Sequence, residues 1–90
     1  MEEFNKIIDN TLKELGYETV EINGKVVYCH NGKYYKFTYV ESFKGYVLEY
    51  ANSYEEAENN VFEDGDIYST DIGKDVFIET LRSDLIKYYN

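Results

Sequence analysis

Cys29 and His30 are the residues whose types suit nucleophilic chemistry, a thiol beside a base. They are adjacent, and in an extended segment adjacent side chains point to opposite faces. The chain holds one cysteine and one histidine, so no second group of either kind completes a dyad, and we read both as structural. A zinc site needs about four Cys, His or carboxylate ligands, and no such spacing occurs. Glu63-Asp64-Gly65-Asp66 looks like a fragment of a calcium loop. Aligning Gly65 with the glycine of an EF-hand, however, puts Phe62 at the third position, where an oxygen ligand belongs. That leaves open only a weaker cation site. Acid–base work by two carboxylates needs a fixed separation across a cleft, and nothing singles out one pair among the 18 acids. Neither a P-loop nor a dinucleotide fingerprint is present. The residues thus give no catalytic group, no metal ligand and no cofactor, and the expectation is a protein that is not an enzyme.

Charge is where the chain departs from the ordinary. Its formal net charge is −9, from 18 acids against 9 bases. That balance repels phosphate backbones and anionic membrane surfaces and attracts basic proteins at range. From Gly45 through Gly73 there is no Lys or Arg, while Glu49, Glu55, Glu56, Glu58, Glu63, Asp64, Asp66 and Asp71 all fall there. Tyr46, Tyr50, Tyr54, Phe62 and Tyr68 interleave with them. Aromatic anchors inside an acidic rim suit an interface for a basic protein. The candidate partner-binding residues are therefore Tyr54, Glu55, Glu58, Phe62, Glu63, Asp64, Asp66 and Tyr68. The competing reading is a solvated acidic face whose rings serve packing.

These residues need a scaffold, and 90 residues provide one domain, 1–90. At this size about 60–65% of the unfolded surface can be buried, enough for one modest core and little room for a deep cavity. Residues 2–15 read as a helix, with Phe4, Ile7, Ile8, Leu12 and Leu15 in one stripe, Glu2 and Glu3 in the first turn, and Gly16 as a stop. Asn23-Gly24 and Asn31-Gly32 are hairpin signals, delimiting strands near 17–22, 25–30 and 33–40. Lys44-Gly45 marks a third reversal, into a strand near 46–51. Alternation supports this, with Tyr35, Phe37 and Tyr39 on one face and Tyr46, Leu48 and Tyr50 repeating the pattern. Ser53 and Glu56 fit a capping box for a short helix near 54–59 that ends at Asn59-Asn60. Residues 61–71 are turn-rich and read as loop, with a short extended piece at Ile67-Tyr68. The last segment, 72–89, reads as a helix capped by Thr70 or Asp71, with Phe77, Leu81, Leu85 and Tyr88 in a stripe. The expected fold is α+β, a four-stranded antiparallel meander. N- and C-terminal helices pack on one sheet face, and one short helix is added. Eleven Tyr, five Phe and no Trp suit such half-buried sheet faces. No apolar run approaches the roughly 18–20 residues of a membrane span. The acidic first segment lacks a signal peptide's positive region, and Cys29 has no internal disulfide partner, so the expected compartment is the cytoplasm.

One resemblance adds to this. The segment EYANSYEEAENNVFEDGDIYSTD at 49–71 resembles small bacterial immunity proteins of polymorphic toxin systems, in particular immunity protein family 59. It is carried by an E-Y-A strand end, an acidic short helix, and Phe62-Glu63-Asp64-Gly65-Asp66 followed by an aromatic, about a quarter of the chain. The resemblance implies a non-enzymatic bacterial protein that neutralises a cognate toxin inside the producing cell. It carries over no catalytic residues and does not give the toxin's activity. A nuclease, whose cleft is basic, would suit an acidic inhibitor. The alternative is an acidic adaptor or nucleic-acid mimic that binds another basic protein. Oligomeric state is left open.

Overall fold

Phe4, Ile8 and Leu12 recur at helical spacing, and a helix, α1 (Glu2–Glu14), carries them into the core. The computed structural model describes residues 2–89; the side chain of Glu2, expected in the dipole-favoured first turn, lies outside the described residues. After Glu14 the chain closes a Schellman-type turn. The Tyr17 N–H reaches back to the Leu12 carbonyl at 2.9 Å, and Gly16 N–H to Lys13 at 3.1 Å.

Three strands follow, β1 (Glu18–Ile22), β2 (Lys25–His30) and β3 (Lys33–Val40). Both intervening turns have the expected Asn-Gly geometry. Asn23 and Gly24 have φ of 54° and 78°, and Asn31 and Gly32 have 51° and 79°, the doubly positive pattern that matches strand twist. A short 3-10 turn, Glu41–Phe43, leads through Lys44 into β4 (Gly45–Ala51). The register runs from Tyr34 opposite Ala51 to Val40 opposite Gly45. Next comes α2 (Tyr54–Glu58). Ser53 Oγ accepts the Glu56 N–H at 3.1 Å, while the Glu56 carboxylate accepts from the Asn52 N–H instead of from Ser53. This is a capping box displaced by one residue.

The segment read as loop is largely a strand. β5 (Glu63–Ser69) pairs antiparallel with β4 and extends the meander to five strands in the order β1-β2-β3-β4-β5. The expectation of four strands fails because Glu, Asp and Gly are poor strand formers in isolation. Here the free edge of β4 supplies the ladder, and Tyr68 buries opposite Tyr46. A β-bulge between Val47 and Glu49 absorbs the mismatch, so that Gly65 and Asp66 oppose Leu48. Gly65 sits where a Cβ would lie 2.7 Å from Tyr89 Oη and 3.0 Å from the Leu48 carbonyl. That close approach requires glycine inside the strand.

The chain ends in α3 (Lys74–Tyr88). Its N-cap is Gly73, with no side-chain cap, so the expected cap at Thr70 or Asp71 is overturned. Thr70 Oγ1 instead donates to the Lys44 carbonyl, and the Asp71 N–H donates to Ser69 Oγ. Both residues are used in closing the end of β5. Phe77, Leu81 and Leu85 are fully buried, as the stripe predicts, but Tyr88 is 71% exposed. Tyr89, one residue on, packs against the core in its place.

α1 and α3 cover one face of the sheet, where Phe4 meets Phe77 edge-on at 4.9 Å. Sheet tyrosines fill this core and fasten it with their polar tips. Tyr28 Oη donates to Asp9, Tyr46 to Asn5 and Tyr68 to Asp84, each at 2.9 Å. Tyr17 and Tyr35 both donate to the Tyr89 carbonyl. α2, whose face the sequence left open, packs on the opposite face, where Ala57 joins Ile22, Val27 and Ala51 in a smaller cluster. Among the described residues no helix is long and apolar enough to cross a membrane.

Candidate partner-binding surface

α2 and β5 both spring from β4, which brings most of the sequence-predicted residues to one end and edge of the sheet. Asn52, just past β4, joins them by donating Nδ2 to Glu63 at 3.3 Å. Tyr54 is exposed on α2 and meets Tyr34 edge-on at 5.9 Å. Glu55 and Glu58 are exposed on α2, and Glu63, Asp64 and Asp66 are exposed on β5. They do not all share one face. Asp64 lies opposite Glu49 on the α2 side, whereas Asp66 accepts a hydrogen bond from Tyr89 Oη at 2.8 Å on the α3 side.

Two of the expected anchors are already engaged. Tyr68 is 2% exposed and belongs to the core under α3; alternation, read correctly for β5, turns it inward. Burial first, and then the bond to Asp84, push its hydroxyl well above the ordinary tyrosine range. Phe62 is half-buried beneath Lys36, whose Nζ lies 4.1 Å from the ring centroid and donates to Asn60 Oδ1 at 3.2 Å. A lysine from β3 thus folds onto a stretch that contains no base of its own.

The electrostatics separate two populations of acids. On α1, Asp9 pairs with Lys13 at 3.0 Å, Glu3 with Lys74 and Glu14 with Arg82. Burial would raise the Asp9 pKa, but the hydrogen bonds from Lys13 and Tyr28 outweigh it and hold the carboxyl below its usual value. Among the described residues, no acid between Gly45 and Gly73 enters a salt bridge. Among the described residues, the side chains of Glu55, Glu58 and Asp64 also make no hydrogen bond.

Sequence reasoning missed a notch of about 540 Å³ lined by Tyr50, Asp64, Gly65, Asp66, Tyr88 and Tyr89. Its signal lay in the C-terminal Tyr88-Tyr89 pair, which reads as helix stripe until the bulge in β5 is known. A cavity of about 110 Å³ between Ile22, Val27, Ala57 and Phe62 is far below the several hundred Å³ of a small-molecule site. Cys29 and His30 lie on opposite faces. His30 stacks on Tyr17 at 4.4 Å in the helix-covered layer, and burial with the nearby Glu18 pushes the Cys29 thiol up, away from a reactive thiolate. Among the described residues no group of three His, Cys, Asp or Glu is placed to hold a metal ion. No family model, curated protein or solved structure matches this chain.

Proposed function

We propose that this protein is an immunity-type inhibitor that binds a cognate toxin domain in the cytoplasm of the producing bacterium and neutralises it through the acidic surface of α2 and β5. The observation that carries this reading is the gathering of exposed, unbridged acids on α2 and β5, in a stretch without a base of its own. Glu3, Asp9 and Glu14 of α1 are bridged to bases within the fold; Glu55, Glu58 and Asp64 are exposed, enter no described salt bridge, and stand in a stretch with no Lys or Arg, unlike the exposed Glu18, Glu21 and Glu41 elsewhere. Unpaired surface carboxylates of one sign raise the local potential and speed the encounter with a basic partner. Exposed Tyr54 beside them supplies apolar area with a polar tip. A basic nuclease cleft is the toxin surface that such a patch fits best. Inhibition here needs no chemistry from this chain, only occupancy.

The test is growth rescue. Any toxin-like domain found encoded beside this chain is expressed alone and with this chain. Protection by the wild type, lost when Glu55, Glu58 and Asp64 are all replaced by Lys, is the expected result. A toxin domain that is equally lethal with and without the chain sinks the immunity reading and moves the weight to an acidic adaptor.

A further inference from the structure

The second face of the sheet is only half covered. α2 sits over Ala51 and the β1–β2 hairpin. Beyond it the strand register sets out three cross-strand rows on the same face. The first is Lys36, Glu49 and Asp64; the second is Thr38, Val47 and Ile67; the third is Val40, Gly45 and Ser69. No helix of the described residues packs on the last two rows. The middle row is β-branched throughout, and Ile67 at its end is 59% exposed on the edge strand β5. Val47 and Ile67 present apolar side chains on an open sheet face beside an edge, which invites association, while Thr38 Oγ1 at the other end of the row donates to Glu49 at 2.9 Å. Its border toward α2 is acidic, with Glu49 and Asp64 beside it, and the base in that row, Lys36, is drawn away onto Phe62 and Asn60.

We infer that this open half-face, centred on Val47 and Ile67, is where the partner docks, and that the occupant is a basic protein. It would lay an apolar side chain across the middle row and set Lys or Arg against Glu49 and Asp64. The inference rests on the proposed function and adds its anchors. Charge decides against a second copy as occupant. Two such faces would oppose their acidic borders, and each chain carries a net charge of −9. It also separates this face from the outer side of α3 and the turn before it, where Val76, Ile86 and Ile72 are exposed as well. There Lys74, Asp75, Glu79, Arg82 and Lys87 mix both signs, and no partner charge is favoured.

The experiment has two arms. In the first, the isotope-labelled chain is titrated with a short peptide of alternating arginine and leucine, and amide shifts are mapped. Shifts centred on Thr38, Val47 and Ile67 are expected, and Ile67→Arg should weaken binding at least about tenfold while Ile86→Arg leaves it unchanged. Ile67→Thr, which keeps the β-branch, serves if the arginine variant is destabilised. Shifts centred on α3, equal weakening by both arginine variants, or a self-dimer in sedimentation that Ile67→Arg dissolves would each overturn the inference. In the second arm the neighbouring toxin domain replaces the peptide. If it fails to bind while the peptide maps to the open face, the immunity reading falls and the docking surface stands. If it binds and Ile67→Arg does not weaken it, the docking surface falls and the immunity reading stands.

Discussion

The two faces of the sheet are built from different kinds of residue, to opposite ends. Under α1 and α3, Tyr17, Tyr28, Tyr35, Tyr46 and Tyr68 turn inward, and their hydroxyls end on helix carboxylates, an amide or the Tyr89 carbonyl. Aromatic area and polar satisfaction are spent inside the fold. On the second face one short helix covers one end, and the acids around it meet no base. A carboxylate near a lysine becomes part of the structure, as Asp9 does with Lys13. One without such a neighbour keeps its field for whatever approaches. The division follows from where the bases are: α1 and α3 carry Lys13, Lys74 and Arg82, and the chain from Gly45 to Gly73 carries none.

The largest expected contrast is in stability. Leu81 is fully buried on the covered face, so Leu81→Ala should cost about 2–5 kcal/mol in urea unfolding. Ile67→Ala on the open face should stay within about 0.5 kcal/mol. Similar losses at both positions would mean that the second face is packed after all. The next effect is the polar lining of the core. Tyr68→Phe leaves Asp84 without its donor and should cost about 1 kcal/mol, the low end for a half-buried acceptor. Burial raises the hydroxyl pKa of Tyr17, Tyr28 and Tyr68 above the unfolded value. Protons are then held more tightly in the folded state. The stabilisation is present below about pH 10 and is lost as pH rises beyond it. Alkaline titration should show these tyrosines ionising together with loss of the far-ultraviolet helix signal. Ionisation completed while the fold persists would contradict their burial.

Much of this scaffold was legible in local signals. The Asn-Gly turns name their own backbone geometry, and the stripes of α1 and α3 name their buried faces, because both depend on neighbours within a few residues. β5 was not legible. Its Glu, Asp and Gly argue for a loop, and only the open edge of β4 and the buried site for Tyr68 make it a strand. The same nonlocality misplaced Tyr68 as a surface anchor, left Thr70 and Asp71 as false caps, and hid the pairing of Phe62 with Lys36. For the candidate surface, sequence located the acids but not which acids elsewhere are bridged, which depends on Lys74 and Arg82 brought from α3 to Glu3 and Glu14.

Smaller effects sharpen the account of paired acids. Arg82→Gln removes the exposed bridge to Glu14 and should cost about 0.2–1 kcal/mol, less in high salt. Asp9, held below the ordinary carboxylate pKa, adds stability that is present above about pH 4 and is lost as pH falls through its folded pKa. Asp9→Asn should flatten the acid limb of the stability profile measured by thermal unfolding. An unchanged acid limb would show that this pair is idle in solution.

The central claim is that the unpaired acids act from a defined surface and not merely through net charge. Association rates with the proposed toxin partner decide it. One variant carries Glu55→Lys, Glu58→Lys and Asp64→Lys. The other carries Glu18→Lys, Glu21→Lys and Glu41→Lys, equally exposed and outside the surface. Both change net charge by the same amount, and none of the six side chains takes part in a described salt bridge. The account predicts that the first variant associates at least about tenfold more slowly than the second at low salt. The gap should narrow as salt approaches about 1 M, where the Debye length falls to about 3 Å. Equal slowing by the two variants would contradict it and leave only the overall charge of the chain.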